Sequence, residues 1–324
     1  MEPRLPADPR AATHAVAARG YRRWLALFAL ALVAADQLAG VLLERAYPSA
    51  GRGQLAGMVN SAIHARADLL ILGASTASHH YDDAALGESL GVRVFNTGLD
   101  GRGIVFSRGL LALAGAEHAP RLVVVDLSYS DRDRTSARIL APFYGRSPVV
   151  DRVVAWSWRE RVKLVSRCYR FNGLVLPILR NLGTPPMTSG FEPVDGAVAD
   201  SVPWRGPERG AGGFGAWYGD ELRALVREAR SLGARVVFVE SPTWGGRVAR
   251  VARDEYAQVA AEMDVPLHLL DPEHVPALNH ARLYFDRAHL NRQGARVFTT
   301  VVTPVLRAEL EAASGQPAKP VPAP

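Results

Sequence analysis

Cysteine occurs once in 324 residues, at Cys168, so neither an intramolecular disulfide nor a thiolate-rich metal cluster can be built. Lysine is almost missing as well: Lys163 and Lys319 are the only two, so the 38 basic residues are nearly all arginine. The net charge is only +6. Five arginines (Arg4, Arg10, Arg19, Arg22, Arg23) against Glu2 and Asp8 place +3 of it before residue 24. The remaining +3, spread over about 300 residues, is too thin for a nucleic-acid surface. There is no internal repeat. A 48% hydrophobic and 22% charged composition excludes wholesale disorder, collagen and coiled coil.

What is present first is an apolar run. Trp24 to Leu43 reads WLALFALALVAADQLAGVLL, with Asp36 its one charge. As a helix it is about 30 Å long, the thickness of a bilayer's hydrocarbon core. A central Asp costs about 2.5–3.5 kcal/mol, and ten Leu, Val and Phe residues return about 0.3–0.6 kcal/mol each, so insertion is balanced or better. Asp36 lies in the second half of the span, within reach of the far interface or a partner helix. Arg19, Arg22 and Arg23 flank one side, while Glu44 and Arg45 cancel on the other. This asymmetry predicts a single-pass anchor in the cytoplasmic membrane, with a cytoplasmic segment 1–23 and everything after the anchor outside. A cleaved signal peptide, with Val33-Ala34-Ala35 before the cut, and a buried core helix are the alternatives.

Residues 44–67 read as a connecting arm. The main domain then covers 68–312, and a Pro-rich tail, 313–324, follows as a disordered segment. Within the domain, Asp68-LLILG and Arg121-LVVVDL are compact apolar runs without alternation, which reads as strands buried on both faces. VRVFN (92–96) is a third. Helical spacing at 81–90 and 103–115 separates them, giving the β-α-β-α-β rhythm of a parallel sheet covered by helices. The rhythm breaks at an insertion, about 132–216, whose tryptophans, Trp156, Trp158 and Trp204, are expected to pack its core. It resumes with helix 217–231, strand Arg235-VVFVE, helix 248–263, strand Pro266-LHLLD and helix 292–311. The expected fold is α/β, three layers, with helices on both faces of the sheet.

Chemistry is sought at the carboxyl ends of parallel strands. Ser75 follows the first strand at the mouth of a helix, where free N–H groups point outward. It can serve as a helix N-cap or, given a base, as a nucleophile. Asp286 and His289 stand three apart before the last helix, where a carboxylate can fix an imidazole tautomer. Gly73-Ala-Ser-Thr-Ala lacks a phosphate-binding fingerprint, and His64, His79-His80, His274 and His280 lack a metal-ligand spacing. Glu240-Ser241-Pro242-Thr243, ending the fourth strand, is expected to wall the pocket.

Ser75 after the first strand, Gly98 and Gly101 after the second, and Asp286-R-A-His289-L-N-R-Q-G near the end resemble the SGNH/GDSL hydrolase superfamily. The GASTA block, the anchor and the Asp286-R-A-His289-L-N-R-Q-G ending are similar to its envelope branch, which includes alginate O-acetyltransferase-like proteins and lipoteichoic-acid D-alanylation (DltD) proteins. The resemblance covers about 68–131 and 234–311. It implies that Ser75 is the acyl-accepting nucleophile, His289 the base and Asp286 its orienting partner. It further implies an oxyanion hole from the N–H groups of Ser75 and Gly101, with Gly98 the alternative to Gly101. The third block departs: Ser130 stands where the family has the Asn of Gly-x-Asn-Asp, and a hydroxyl has shorter reach than an amide. Ala74 also replaces the usual Asp before the serine. The implied function is an exported esterase or O-acyltransferase acting on an envelope glycan or other acylated substrate. Neither a metal nor an organic cofactor is required, and a membrane acyl-transfer protein is a possible partner. A non-catalytic accessory or glycan-binding protein that keeps the fold is the alternative. The triad reading requires that Ser75 Oγ and a His289 ring nitrogen lie within hydrogen-bond reach.

Overall fold

The computed structural model describes residues 9–127, 134–199, 202–203, 216–244 and 250–315. The third-block position Ser130, Trp204 and the tail beyond residue 315 lie outside the described residues.

The first described element is α1 (Pro9–Ala46), and from Gly20 onward this helix is long and apolar enough to cross a membrane. The connecting stretch after it packs against the domain. A 3₁₀ turn (Tyr47–Ser49), one turn of π-helix (Gly53–Gly57) and α2 (Met58–His64) put Tyr47, Met58, Val59 and Ala62 into the main core. The Asn60 amide pins this path by donating to the carbonyls of Tyr47 (2.7 Å) and Ala50 (2.9 Å).

The α/β unit then runs β1 (Leu69–Leu72), α3 (Ser75–His80), α4 (Asp83–Leu90), β2 (Val94–Asn96), α5 (Ile104–Glu117) and β3 (Leu122–Asp126). An insertion holds a 3₁₀ stretch (Arg134–Phe143), then α6 (Pro148–Val154), α7 (Trp158–Lys163), α8 (Arg167–Arg170) and α9 (Val175–Arg180). The unit closes with α10 (Ala216–Ser231), β4 (Arg235–Glu240), α11 (Arg250–Glu262), β5 (Leu267–Leu269) and α12 (Arg292–Ala313). All five strands are parallel, in the order β2-β1-β3-β4-β5.

Alternation along the strands builds two cores. Leu70, Leu72, Val123, Val125, Val236 and Phe238 face α2, α5, α10 and α11. Leu69, Ile71, Leu122, Val124, Val237 and Val239 face α4 and α12. Helices thus cover both faces, which is why the strands carry no polar alternation. The chain leaves β1 toward β2 over one face and returns past it to β3 over the other, as right-handed crossovers require. The carboxyl ends of β1 and β3 therefore flank the topological switch point, where open parallel sheets form their crevice. Ser75 follows one of these strands and Asp126 ends the other.

The insertion is tied to both ends of the molecule. Asp36 of α1 accepts from Ser166 Oγ (2.6 Å) and from the N–H groups of Arg167 (3.0 Å) and Cys168 (3.3 Å), capping α8. The partner for this charged residue is thus a helix of its own chain. The insertion's distal limb crosses the sheet's carboxyl edge. There buried Asp83 accepts from the N–H groups of Asn96 (2.8 Å) and Gly190 (2.9 Å) and from the Ser189 hydroxyl. Of the insertion's tryptophans, Trp158 is exposed rather than packed inside.

Candidate active site

Ser75 is the first residue of α3, and no side chain caps that helix, since Ala74 holds the N-cap position. The Ser75 hydroxyl is therefore free of the capping role and meets the imidazole of His289, with Oγ 2.8 Å from Nε2. His289 arrives on a tight loop closed by a bridge between Tyr284 and Leu290 and by the Phe285 N–H donating to the His289 carbonyl (2.8 Å). Asp286 shapes that loop: its Oδ1 accepts from the N–H groups of Ala288 (2.6 Å) and His289 (2.9 Å). Both its oxygens also lie 3.0 Å from His289 Nδ1. A carboxylate can only accept, so Nδ1 carries the ring proton and Nε2 offers its lone pair to the serine. Burial works to raise the Asp286 pKa, but the Ala288 N–H and the His289 ring outweigh it and hold the carboxyl below its ordinary value.

The two candidate oxyanion glycines differ in kind. Gly98 N–H already donates to the Asn96 side chain (2.9 Å), and a Cβ at Gly98 would lie 2.3 Å from Ser78 N. It is a close-packing glycine whose N–H already has an acceptor. Gly101 has φ +66°, a conformation that favours glycine, and open space where a Cβ would stand. No described residue accepts its N–H. The loop carrying it is fastened to α3 by Asp100, 3.3 Å from His79 Nε2. Helix N-termini leave their first N–H groups without an intrahelical partner, and Ser75, the first residue of α3, holds such a position.

His79 and His80, which have no metal-ligand spacing, stand beside His289. His79 Nδ1 lies 2.6 Å from the Glu192 carbonyl, and its Nε2 faces Asp100, so both nitrogens meet acceptors. Burial opposes a charge here, yet Asp100 and the Glu192 carbonyl raise the His79 pKa above its ordinary value. Its ring stands edge-on to His289, with 5.2 Å between centroids. His80 has the opposite character. Its Nε2 accepts from Leu290 N–H (2.9 Å), so Nδ1 carries the proton toward Ser241 Oγ (3.1 Å). Full burial, with the other two imidazoles nearby, holds its pKa well below the ordinary histidine value. A neutral His80 thus fastens the residue after His289 to the end of β4.

Beneath both lies Asp126. It accepts from Tyr81 OH (3.0 Å), the Thr76 hydroxyl, and the hydroxyl and N–H of Ser241. Ser241 consequently braces the site from below, and Glu240 is turned away into an ion pair with Arg253. A polar residue ending the apolar run LVVVD was the available signal for Asp126. Complete burial pushes its pKa up to about 6, and the donors lower it only in part. With an ordinary value of 3.8, the group is protonated in both folded and unfolded states below about pH 4 and ionised in both above about 6. Native stability should fall as pH rises through that window, by roughly 3 kcal/mol in total. Asp126→Asn removes the titration. The urea midpoint of the wild type should therefore drop relative to that of the variant between pH 4 and 7. A difference that stays flat with pH contradicts the assignment.

No protein-family model matches the chain, nor does any curated protein.

Proposed function

We propose that the chain is a membrane-anchored SGNH-like serine esterase or O-acyltransferase that acts on acyl esters of a cell-envelope glycan. The observation that carries this is the continuous Ser75–His289–Asp286 hydrogen-bond chain at the carboxyl edge of the sheet. Ser75 Oγ attacks the acyl carbonyl while its proton passes to His289 Nε2. Asp286 stabilises the resulting imidazolium. The developing oxyanion takes the N–H groups of Ser75 and Gly101. Collapse breaks the ester bond, the imidazolium returns its proton to the departing alcohol, and the acyl group remains on Ser75. His289 then deprotonates water or a sugar hydroxyl, which releases the acyl group to the acceptor.

The resemblance of the GASTA block, the anchor and the Asp286-R-A-His289-L-N-R-Q-G ending to envelope proteins supports the glycan substrate. The arginines before α1 support an N-terminus in the cytoplasm and a catalytic domain outside. A reporter fused after Pro324 should therefore be active only in its exported form, and activity confined to the cytoplasm overturns the localisation. For the chemistry, envelope O-acylation is compared in cells carrying wild type or Ser75→Ala. The levels should differ. Equal acylation contradicts the enzymatic reading and favours an accessory protein that binds without turnover.

A further inference from the structure

Residues 157–182 carry a surface that the triad does not use. Trp158, Val162 and Val165 on one side of α8, and Leu176, Leu179 and Leu182 on the other, are exposed, Trp158 and Val165 to 70% and 71%. Between them Leu164, Phe171, Leu174 and Ile178 are buried, so the segment is a packed amphipathic layer with its apolar outer side uncovered.

Its attachment to α1 fixes where that side lies. At one end the Gln37 amide donates to the Val165 carbonyl (3.3 Å), and Asp36 caps α8. Gly40 lets Arg167 close against the helix: a Cβ there would lie 2.1 Å from that of Arg167. At the other end Gly183 N–H donates to the Ser49 carbonyl (2.9 Å), and Gly51 N–H to Thr184 Oγ1 (3.1 Å). The layer therefore lies alongside the last turns of α1. Counted from Trp24, residue 36 is about 18 Å along a helix whose membrane-crossing part needs about 30 Å. The level of Asp36 to Gly40 is thus inside the bilayer, not above it.

Charge points to the same occupant. Arg159, Arg161, Lys163, Arg167, Arg170 and Arg180 accompany the exposed apolar side chains, against the single acid Glu160. Glu160 is itself buried and paired with Arg138 (3.0 Å) and Lys163 (2.8 Å). Apolar side chains with a tryptophan and a strongly basic border are the composition of helices that lie in a membrane interface.

We propose that residues 157–182 form an in-plane membrane-binding surface, seated in the bilayer leaflet at the Ala46 end of α1. This rests on the reading of α1 as a membrane span. Such seating removes the exposed leucines and valines from water, surrounds Asp36 with donors at its own depth, and fixes the catalytic domain's orientation to the membrane.

The test places nitroxide labels on the full chain, in a Cys168→Ser background, reconstituted in vesicles of phosphatidylcholine and phosphatidylglycerol. Single cysteines are introduced as Leu30→Cys within the span, Val165→Cys and Leu179→Cys on the surface, and Glu88→Cys on the exposed side of α4. Collision with oxygen, which partitions into lipid, is compared with collision with a water-soluble nickel chelate. Labels at 30, 165 and 179 should all be oxygen-rich and nickel-poor, severalfold apart in ratio from the label at 88. If 30 behaves as lipid-exposed while 165 and 179 behave like 88, the span stands and the proposal falls, leaving this face for a protein partner. If 30 also behaves like 88, the span reading fails and the proposal with it.

Discussion

Ser75→Ala is expected to lower turnover of a small acyl ester by on the order of 10³–10⁶ while leaving the fold in place. In the proposed mechanism this hydroxyl attacks, and among the described residues its side-chain hydrogen-bond partner is His289. Water admitted beside His289 would be a poorer, unpositioned nucleophile. The proposed oxyanion donors, the N–H groups of Ser75 and Gly101, are backbone groups and survive the substitution, so residual catalysis should exceed that of buffer. Because Ser75 caps no helix and its side chain is only half-buried, the stability change should stay within about 1 kcal/mol. Stopped-time assays with urea unfolding on the same samples separate the two quantities. Undiminished turnover in the variant would remove Ser75 from the mechanism.

Asp286→Asn should be nearly as damaging, costing on the order of 10⁴ in kcat. In the native loop Oδ1 is held by the N–H groups of Ala288 and His289, and an asparagine oxygen would take that place. The amide NH₂ then faces Nδ1, which forces the ring proton onto Nε2 and leaves nothing to accept the serine proton. The negative charge that stabilises the imidazolium is lost as well. The two effects fall on the chemical step, so KM should change little, and the loop's backbone bonds should persist. A variant that retains more than about a tenth of wild-type kcat would show that His289 is oriented by something other than Asp286.

The strands and most sheet-flanking helices were legible because each is a short apolar run or a helical repeat punctuated by glycine, a local signal. The Asp286–His289 pair was legible for the same reason, being three residues apart in one loop. Ser75 was legible from its position after a buried strand, and the expected contact with His289 is present at 2.8 Å. What was not legible depends on pairings without a local signature. His80 meets Ser241 across 161 positions, and Asp36 meets Ser166 across 130. Neither partner is marked by anything in its own neighbourhood. The helix start at Ser75 is legible from the strand before it, but the six residues of α3 lack apolar periodicity, so nothing local marks His79 and His80 as facing the site. Residues 44–67 read as an arm because glycines and polar residues dominate their start, yet Asn60 and Ser61 satisfy that backbone from inside the core. The uncovered side of residues 157–182 escaped because burial there is set by α1, more than a hundred residues upstream.

The most direct measurement is reaction of the purified chain with a fluorophosphonate, which captures a serine only where a base activates it and donors hold the resulting oxyanion. Peptide mapping by mass spectrometry should find the adduct on Ser75, with labelling abolished by Ser75→Ala and strongly slowed by His289→Ala. A folded wild-type chain that takes no label, or takes it at another serine with equal speed in the Ser75→Ala variant, would contradict the account.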